Sequence, residues 1–175
     1  MRTFACPLIV RAAITLSALA CAFTVPADAA TTTGTLTVNA TLLSSCNVSG
    51  SVLNFGSTID PLSASVPVDA SSTMSVQCTN TTPYAVSLNA GANAGGASAF
   101  SNRNMKHGTS NLLGYQLYLD SGRSTVWGDG TASSSTLAGT GTGSSQTLTI
   151  YGRLPSLTGA VPGGYTDTVT VTITY

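Results

Sequence analysis

Apolar residues recur at every second position through most of this chain, which is the spacing of a half-buried β-strand. The alternation is clearest in residues 35–42 and 166–175. In the second segment, threonines occupy one face and the other face carries Val169, Val171, Ile173 and Tyr175. After residue 29 we find no segment with the 3.6-residue period of a helix. The pattern therefore predicts an all-β fold.

Further alternating segments cover residues 74–78, 84–88, 113–119 and 148–154. A turn signal at Asn80-Thr81-Thr82-Pro83 separates the first two, so they are expected to be consecutive strands. Loops rich in Gly, Ser, Asn and Ala cover residues 90–104, 131–145 and 156–164. Within the second loop, Leu137 is the apolar residue expected at a strand edge or loop anchor. This spacing predicts a single domain with an antiparallel β-sandwich.

The N-terminus has the features of a signal peptide. Arg2 and Arg11 precede an apolar run over residues 12–23, and Ala27-Asp28-Ala29 provides the small residues of a cleavage site. We expect cleavage after Ala29, which leaves an exported chain. The apolar run is too short to span a bilayer, so no membrane span is expected. Lipidation at Cys21 is the alternative, although the residues before it fit that processing poorly.

The cysteine count predicts one disulfide bond. Cys6 and Cys21 lie in the predicted leader, so the exported chain retains Cys46 and Cys78. An even pair in an oxidising compartment is expected to be bonded, and closing a loop of about 32 residues would stabilise the fold by roughly 3–4 kcal/mol. With His107 as the single histidine, the chain falls short of a four-ligand metal site, and no metal or other cofactor is expected.

The charge content argues against nucleic acid as a partner. The chain has six Lys and Arg residues and six acidic residues, for a formal net charge of zero. The cations are scattered singly, whereas a phosphate backbone requires clustered positive charge. At 42% hydrophobic residues the chain is also too apolar for a disordered protein.

No catalytic constellation is found. The sequence contains no glutamate, and each aspartate after residue 29 has turn-forming or strand-edge neighbours, where it usually satisfies local backbone donors. These aspartates are Asp60, Asp69, Asp120, Asp129 and Asp167. His107 is read as an exposed side chain, and no Gly-x-Ser-x-Gly elbow is present to position a serine nucleophile. Trp127-Gly128-Asp129-Gly130 is read as a turn whose aromatic ring is partly packed. We therefore expect no enzymatic activity.

Residues 35–42 are unusual because they alternate well, carry no charge and lie near the predicted mature N-terminus, where chains normally fray. A strand with an apolar face requires a partner. The sequence alone leaves two possibilities open: the segment pairs within its own chain, or it pairs with another molecule. In either case the apolar side chains are Leu36, Val38, Ala40 and Leu42.

Several motifs resemble the spore coat protein U domain family, which includes the pilin subunits of archaic, Csu-type chaperone–usher pili. The motifs are Gly163-Gly164-Tyr165-Thr166-Asp167 with the alternation that follows, Tyr151-Gly152-Arg153-Leu154-Pro155, Cys46-Asn47-Val48, and Asn54-Phe55-Gly56 followed by Cys78. The resemblance extends over essentially the whole chain after residue 29. It implies an incomplete immunoglobulin-like β-sandwich that is completed by a donor strand from another chain.

The resemblance also implies a division of the chain and a set of partners. Residues 30–43 would be the donor-strand extension and residues 44–175 the pilin domain. The donor residues would be Leu36, Val38, Ala40 and Leu42, and the acceptor groove would be lined by Val169, Val171, Ile173 and Tyr175. The partners would be related or identical pilin subunits, a periplasmic chaperone and an outer-membrane usher. The implied product is a cell-surface pilus that supports attachment and biofilm formation.

Two other classes of function remain as alternatives. A monomeric, secreted or coat-associated binding module would pair residues 35–42 within its own sandwich. A small periplasmic hydrolase would depend on His107 or on one of the aspartates.

Overall fold

A computed structural model describes residues 28–175, which form two units that divide between Ala40 and Thr41. In the first unit, residues 28–40 carry no helix or strand and are exposed. Apart from residues 28 and 29, the predicted signal peptide lies outside the described residues, as does Cys21. Within residues 28–175, no helix is long and apolar enough to cross a membrane.

The second unit, from Thr41 onwards, is built of antiparallel strands of 3 to 11 residues and a 3-10 turn at Phe100–Asn102. The strands are β1 (Cys46–Val48), β2 (Val68–Cys78), β3 (Pro83–Leu88), β4 (Asn104–His107), β5 (Asn111–Gly114), β6 (Gln116–Tyr118), β7 (Leu137–Thr140), β8 (Ser145–Leu154) and β9 (Val171–Thr174). One sheet has the order β1-β2-β8-β6 and a second has the order β7-β3-β9. The hairpin β4-β5 forms a third, two-stranded sheet.

Alternate side chains of the strands form the main core between the two larger sheets, and Ala90, Ala94 and Phe100 form a smaller second cluster. On β2 the inward positions include Met74 and Val76, and on β3 they include Val86 and Leu88, all at most 3% exposed. Burying each of these side chains contributes roughly 1.5–3 kcal/mol. The predicted alternation of residues 74–78 and 84–88 is therefore confirmed, and so is the β-sandwich. The predicted disulfide is also present, because Cys46 lies opposite Cys78 in the β1-β2 pair and is bonded to it.

Residues 113–119 form two strands, so the prediction of one continuous strand was wrong. β5 pairs with β4, whereas β6 pairs with β8 in the large sheet. The break falls at Tyr115, whose backbone N–H donates to the carbonyl of Arg103 at 2.9 Å. This hydrogen bond continues the β4-β5 hairpin by one residue, and from Gln116 onwards the chain pairs with β8 instead.

The low-complexity loop of residues 131–145 contains a strand. β7 begins at Leu137, which lies opposite Val86 and packs against the core. The anchoring role expected of Leu137 is therefore confirmed.

Trp127 is completely buried, so its interpretation as a partly packed turn residue was wrong. Its indole Nε1–H donates to the carbonyl of Val86 at 3.0 Å, which satisfies the polar atom of the ring inside the core. The turn begins only after it, where Asp129 accepts hydrogen bonds from the backbone and side chain of Thr131.

Candidate functional site

The two larger sheets each end in an edge strand on the same side of the sandwich. β9 is the edge of the three-stranded sheet, β1 is the edge of the four-stranded sheet, and the two lie beside each other. β9 pairs with β3 along one edge. Within residues 28–175, no strand pairs with its other edge. An unpaired edge exposes backbone donors and acceptors that another strand can bind.

The register of β9 identifies which backbone groups are free. The N–H of Asn89 donates to the carbonyl of Thr170 at 3.0 Å, and the N–H of Thr170 donates to Asn89 Oδ1 at 2.8 Å, so both backbone groups of Thr170 face Asn89. Residues that face the partner strand in this way alternate along an antiparallel ladder with residues whose backbone groups face away from it. The N–H and C=O groups of Val169, Val171 and Ile173 therefore point away from β3 and towards the open edge. The same three side chains pack against the core.

A cavity of about 470 Å³ opens into the core beside this edge. Its floor is apolar and consists of Met74, Leu88, Leu117 and Ile150. One wall is the segment 165–171, including Val169 and Val171, and the other wall is residues 50–55. We call this cavity the acceptor groove. Its shape and lining suit an extended segment with apolar side chains at alternate positions.

The wall formed by residues 50–55 is held to β2 through serine side chains. The hydroxyl of Ser51 donates to the carbonyl of Thr73 at 2.8 Å, and the hydroxyl of Ser72 donates to the carbonyl of Val52 at 2.7 Å. The β1-β2 ladder ends at Val48, so this wall diverges from the sheet and leaves the groove open. Such side-chain hydrogen bonds are an alternative to a backbone ladder in segments rich in serine.

A second cavity, of about 540 Å³, continues the acceptor groove past the start of the C-terminal segment. It shares Leu53, Phe55, Met105 and Tyr165 with the acceptor groove. The loops of residues 56–61 and 157–164 surround it, and Leu157 forms part of its apolar lining. The two cavities together extend along the open side of the sandwich.

Asp167 fastens the segment that precedes β9. Its carboxylate accepts hydrogen bonds from the hydroxyl of Tyr115 at 2.6 Å, from Asn93 Nδ2 at 2.8 Å and from the N–H of Ala92 at 3.0 Å. Burial, and then the neighbouring carboxylate, raises the pKa of Tyr115 far above its usual range, so this residue acts as a neutral donor. Asp167 therefore links three parts of the chain, and its interpretation as a turn or strand-edge residue with local partners was wrong.

Arg103 is a buried cation that sequence reasoning did not find. Its guanidinium donates to Gln116 Oε1 at 2.9 Å and to the carbonyls of Asn89 and Trp127, both at 2.8 Å. The guanidinium carbon also lies 5.4 Å from the centre of the Phe100 ring. Burial lowers the pKa of Arg103 to about 10. These contacts brace the loops behind the acceptor groove.

Comparison with known proteins identifies the family to which this chain belongs. The Spore Coat Protein U domain matches residues 32–172 of the chain. The chain belongs to the Spore Coat Protein U domain family. Protein U of Myxococcus xanthus is 36% identical over 175 residues, which cover 94% of this chain and 96% of the relative. The predicted family is thus confirmed.

A solved relative of this Spore Coat Protein U domain supports the fold. It is the crystal structure of the CsuC–CsuE chaperone–tip adhesion subunit pre-assembly complex from archaic chaperone–usher Csu pili of Acinetobacter baumannii. The TM-score is 0.54 at 27% identity, over 77% of this chain. The chain spans 40% of the length of that solved chain. The described sandwich is therefore an incomplete immunoglobulin-like β-sandwich, as predicted.

The predicted acceptor residues of this Spore Coat Protein U domain differ in where they lie relative to the acceptor groove. Val169 and Val171 line the acceptor groove, and Ile173 is half-buried against the core. Tyr175 is 57% exposed and does not line the groove. These assignments remain predictions about binding.

The predicted donor residues are exposed. Leu36 is 88% exposed, Val38 82% and Leu42 89%. Ala40 is exposed as well. Their insertion into a neighbouring molecule remains a prediction.

Asp60, Asp69, Asp120 and His107 have structural partners. Asp60 and Asp120 accept hydrogen bonds in turns, which lower the pKa of each carboxyl. Asp69 lies near the start of β2 and forms ion pairs with Arg153 on β8 at 2.7 Å and with Arg123 at 3.2 Å, so the expectation that it satisfies local backbone donors was wrong. His107 is half-buried, with its Nδ1 3.0 Å from the carbonyl oxygen of Gly164, so its interpretation as an exposed side chain was wrong. Within residues 28–175, no three potential metal ligands come together.

Proposed function

We propose that this protein is a structural subunit of a secreted chaperone–usher pilus and polymerises by donor-strand exchange. The observation that carries the proposal is the acceptor groove, an apolar cavity beside the free backbone groups of Val169, Val171 and Ile173. A strand that enters the groove gains both apolar burial and ladder hydrogen bonds. That combination is the basis of recognition by β-strand addition.

The donor in this proposal is the segment of residues 35–42 from another copy of the chain. Burying its four alternate apolar side chains contributes roughly 4–9 kcal/mol, before the cost of ordering the segment. The segment carries no charge, so its burial leaves no unpaired ion. Each molecule gives one strand and accepts one strand, and such head-to-tail contacts produce a fibre.

Chain direction favours exchange between molecules over insertion into the same molecule. The donor-strand extension, residues 30–43, is followed by the first residue of β1, Cys46. Cys46 pairs with Cys78 at the end of the sandwich where β9 finishes. Through the short linker of residues 43–45, the extension could enter its own groove only parallel to β9. The pairs within β1 to β9 are antiparallel, which is the slightly more stable arrangement.

The open apolar edge also accounts for the partners and the location that the family resemblance implies. An open apolar edge is an aggregation hazard, so a periplasmic chaperone strand would cover the acceptor groove until an outer-membrane usher replaces it with the next subunit. The role is structural and not enzymatic, and it requires no nucleic acid, metal or other cofactor. The resulting fibre would lie at the cell surface and support attachment and biofilm formation.

The test compares two sets of replacements in the full-length exported chain. A variant with Leu36→Ser, Val38→Ser and Leu42→Ser should fail to form polymers that survive SDS without heating. The matched control carries Thr35→Ser, Thr37→Ser and Thr41→Ser on the other face of the segment, and it should polymerise like the parent chain.

The donor variant keeps an intact acceptor groove and should therefore shorten the fibres of the parent chain when the two are mixed. Undiminished polymerisation of the donor variant would refute the proposal. A parent chain that stays monomeric in size-exclusion chromatography under all conditions would instead favour a self-contained binding module.

A further inference from the structure

We propose that Ser51 and Ser72 are positioning residues for donor-strand uptake; this inference rests on the proposed function. Their hydroxyl groups keep the wall of residues 50–55 off the edge of β2 and so hold the acceptor groove open. Without these hydroxyl groups, the backbone ladder between β1 and β2 would extend along the wall and narrow the groove.

Serine side chains replace the backbone ladder step by step along this part of the chain. The register of β1 and β2, continued past the end of β1, places Ser49 opposite Ser75 and Ser51 opposite Thr73. In the first pair, the N–H of Ser49 still donates to the carbonyl of Ser75 at 2.9 Å, but the N–H of Ser75 donates to Ser49 Oγ at 3.0 Å. In the second pair, the Ser51 hydroxyl donates to the carbonyl of Thr73 at 2.8 Å, in the place that the N–H of Ser51 would take in a ladder. The ladder is therefore interrupted by inserted hydroxyl groups and not by a change of register.

Ser72 completes the bridge from the side of β2. Its hydroxyl donates to the carbonyl of Val52 at 2.7 Å, and its oxygen lies 2.7 Å from the hydroxyl oxygen of Ser51. The two side chains thus form one polar bridge between the wall and β2. Because a side chain stands between the two backbones, the wall is held further from β2 than the spacing of about 4.7–4.9 Å in a ladder.

The acceptor groove begins where the ladder is interrupted. Over Cys46–Val48 the ladder is intact, and there β1 lies beside β9. Past that point, residues 50–55 form the wall of the acceptor groove, across from Val169 and Val171. Extending the ladder along the wall would therefore place residues 50–52 beside the C-terminal segment, as β1 is, and would close that part of the groove.

The other end of the wall is fixed by apolar packing. A Cβ atom on Gly152 would overlap the side chains of Leu53 and Phe55, so these two side chains fill the space that the glycine leaves in β8. The ring of Phe55 also meets the ring of Tyr115 edge-on, with centroids 6.5 Å apart. The part of the wall that can move onto β2 is therefore residues 50–52, next to the two serines.

The test measures how fast the full exported chain takes up a donor peptide. The acceptor carries Leu36→Ser, Val38→Ser and Leu42→Ser, so that it cannot donate its own strand. The probe is a fluorescent synthetic peptide with the sequence of residues 33–43. Association is followed by fluorescence anisotropy, amide exchange reports on the wall, and urea unfolding reports on stability.

Removing both hydroxyl groups should close the groove for most of the time. In the Ser51→Ala, Ser72→Ala variant, the N–H of residue 51 can donate to the carbonyl of Thr73, so this amide should exchange about tenfold more slowly than in the parent acceptor. Because only the open fraction can accept a strand, the peptide should associate about tenfold more slowly.

Two controls separate the hydroxyl groups from general effects of substitution. Ser51→Thr with Ser72→Thr keeps both hydroxyl groups and should take up the peptide like the parent acceptor. Ser71→Ala removes a hydroxyl group from the exposed face of β2 and should change neither uptake nor exchange at residue 51.

Unchanged uptake by the double alanine variant would overturn this inference. Slower uptake without new protection at residue 51 would overturn it as well, because a general loss of structure produces that combination. If the double variant fails to fold, Ser51→Ala alone must show both changes to a smaller extent. A parent acceptor that does not bind the peptide at all would overturn the proposed function, and this inference with it.

Discussion

The hydrogen bonds of Asp167 predict how much stability the protein loses when this side chain is removed. Replacing Asp167 with alanine removes the acceptor for three donors, on Tyr115, Asn93 and Ala92. A hydrogen bond to a charged group contributes about 1.5–3 kcal/mol, and a buried donor left without a partner costs about 1–3 kcal/mol. Ala92 is exposed and can bind water instead, whereas Tyr115 is only 7% exposed. We expect the free energy of unfolding to fall by about 2–4 kcal/mol.

A double-mutant cycle separates this hydrogen bond from general packing. Tyr115→Phe removes one donor and should cost about 1–2 kcal/mol, because the carboxylate keeps its other two partners. In the double variant the shared bond can be lost only once, so the combined effect should be smaller than the sum by about 1–2 kcal/mol.

The assay is urea unfolding of the monomer. The replacements Leu36→Ser, Val38→Ser and Leu42→Ser serve as a common background, so that polymerisation does not complicate the transition. Asp167→Ala and Tyr115→Phe each lower the free energy of unfolding. If the loss in the double variant equals the sum of the two single losses within about 0.3 kcal/mol, the role of Asp167 as a link between the C-terminal segment and Tyr115 is refuted.

Two further predictions concern the stability of the same monomer. Replacing both Cys46 and Cys78 with alanine should lower the free energy of unfolding by about 3–4 kcal/mol, because the unfolded chain is no longer closed into a loop between two residues 32 positions apart. A loss below about 1 kcal/mol would contradict this prediction. Because folding raises the pKa of Tyr115, the unfolded chain releases that proton first, and stability should fall as pH rises above about 10. Tyr115→Phe should flatten this alkaline decline, and equal slopes for the two proteins would contradict it.

The strands at residues 74–78 and 84–88 could be predicted from the sequence because local spacing and the core agree. Residues 35–42 alternate at least as cleanly and form no strand, and of residues 166–175 only Val171–Thr174 does. Residues 74–78 and 84–88 alternate in the sequence, and the structure buries their inward side chains. The break at Tyr115 could not be predicted, because it depends on the partner of each half: residues 111–114 pair with β4, whereas residues 116–118 pair with β8. Short strands such as β7 are equally hidden, since one apolar residue, Leu137, carries the signal.

The groove-facing valines could be predicted from alternation, whereas their polar supports could not. Over residues 168–175 threonine alternates with Val169, Val171, Ile173 and Tyr175, which indicates one buried face. Asp167 looked like a turn residue because its neighbours suit turns, and its partners Tyr115 and Asn93 lie far away in the sequence. Arg103 gave no local signal, because its partners include the backbone carbonyls of distant residues.

Amide hydrogen exchange along the C-terminal segment tests most directly whether another molecule fills the open edge. In the monomer, the N–H groups of Val169, Val171 and Ile173 should exchange quickly, whereas those of Thr172 and Thr174, which face β3, should be protected. Assembly into fibres should protect the first three and leave the threonines unchanged. Rapid exchange of Val169, Val171 and Ile173 in assembled fibres would contradict donor-strand exchange at this groove.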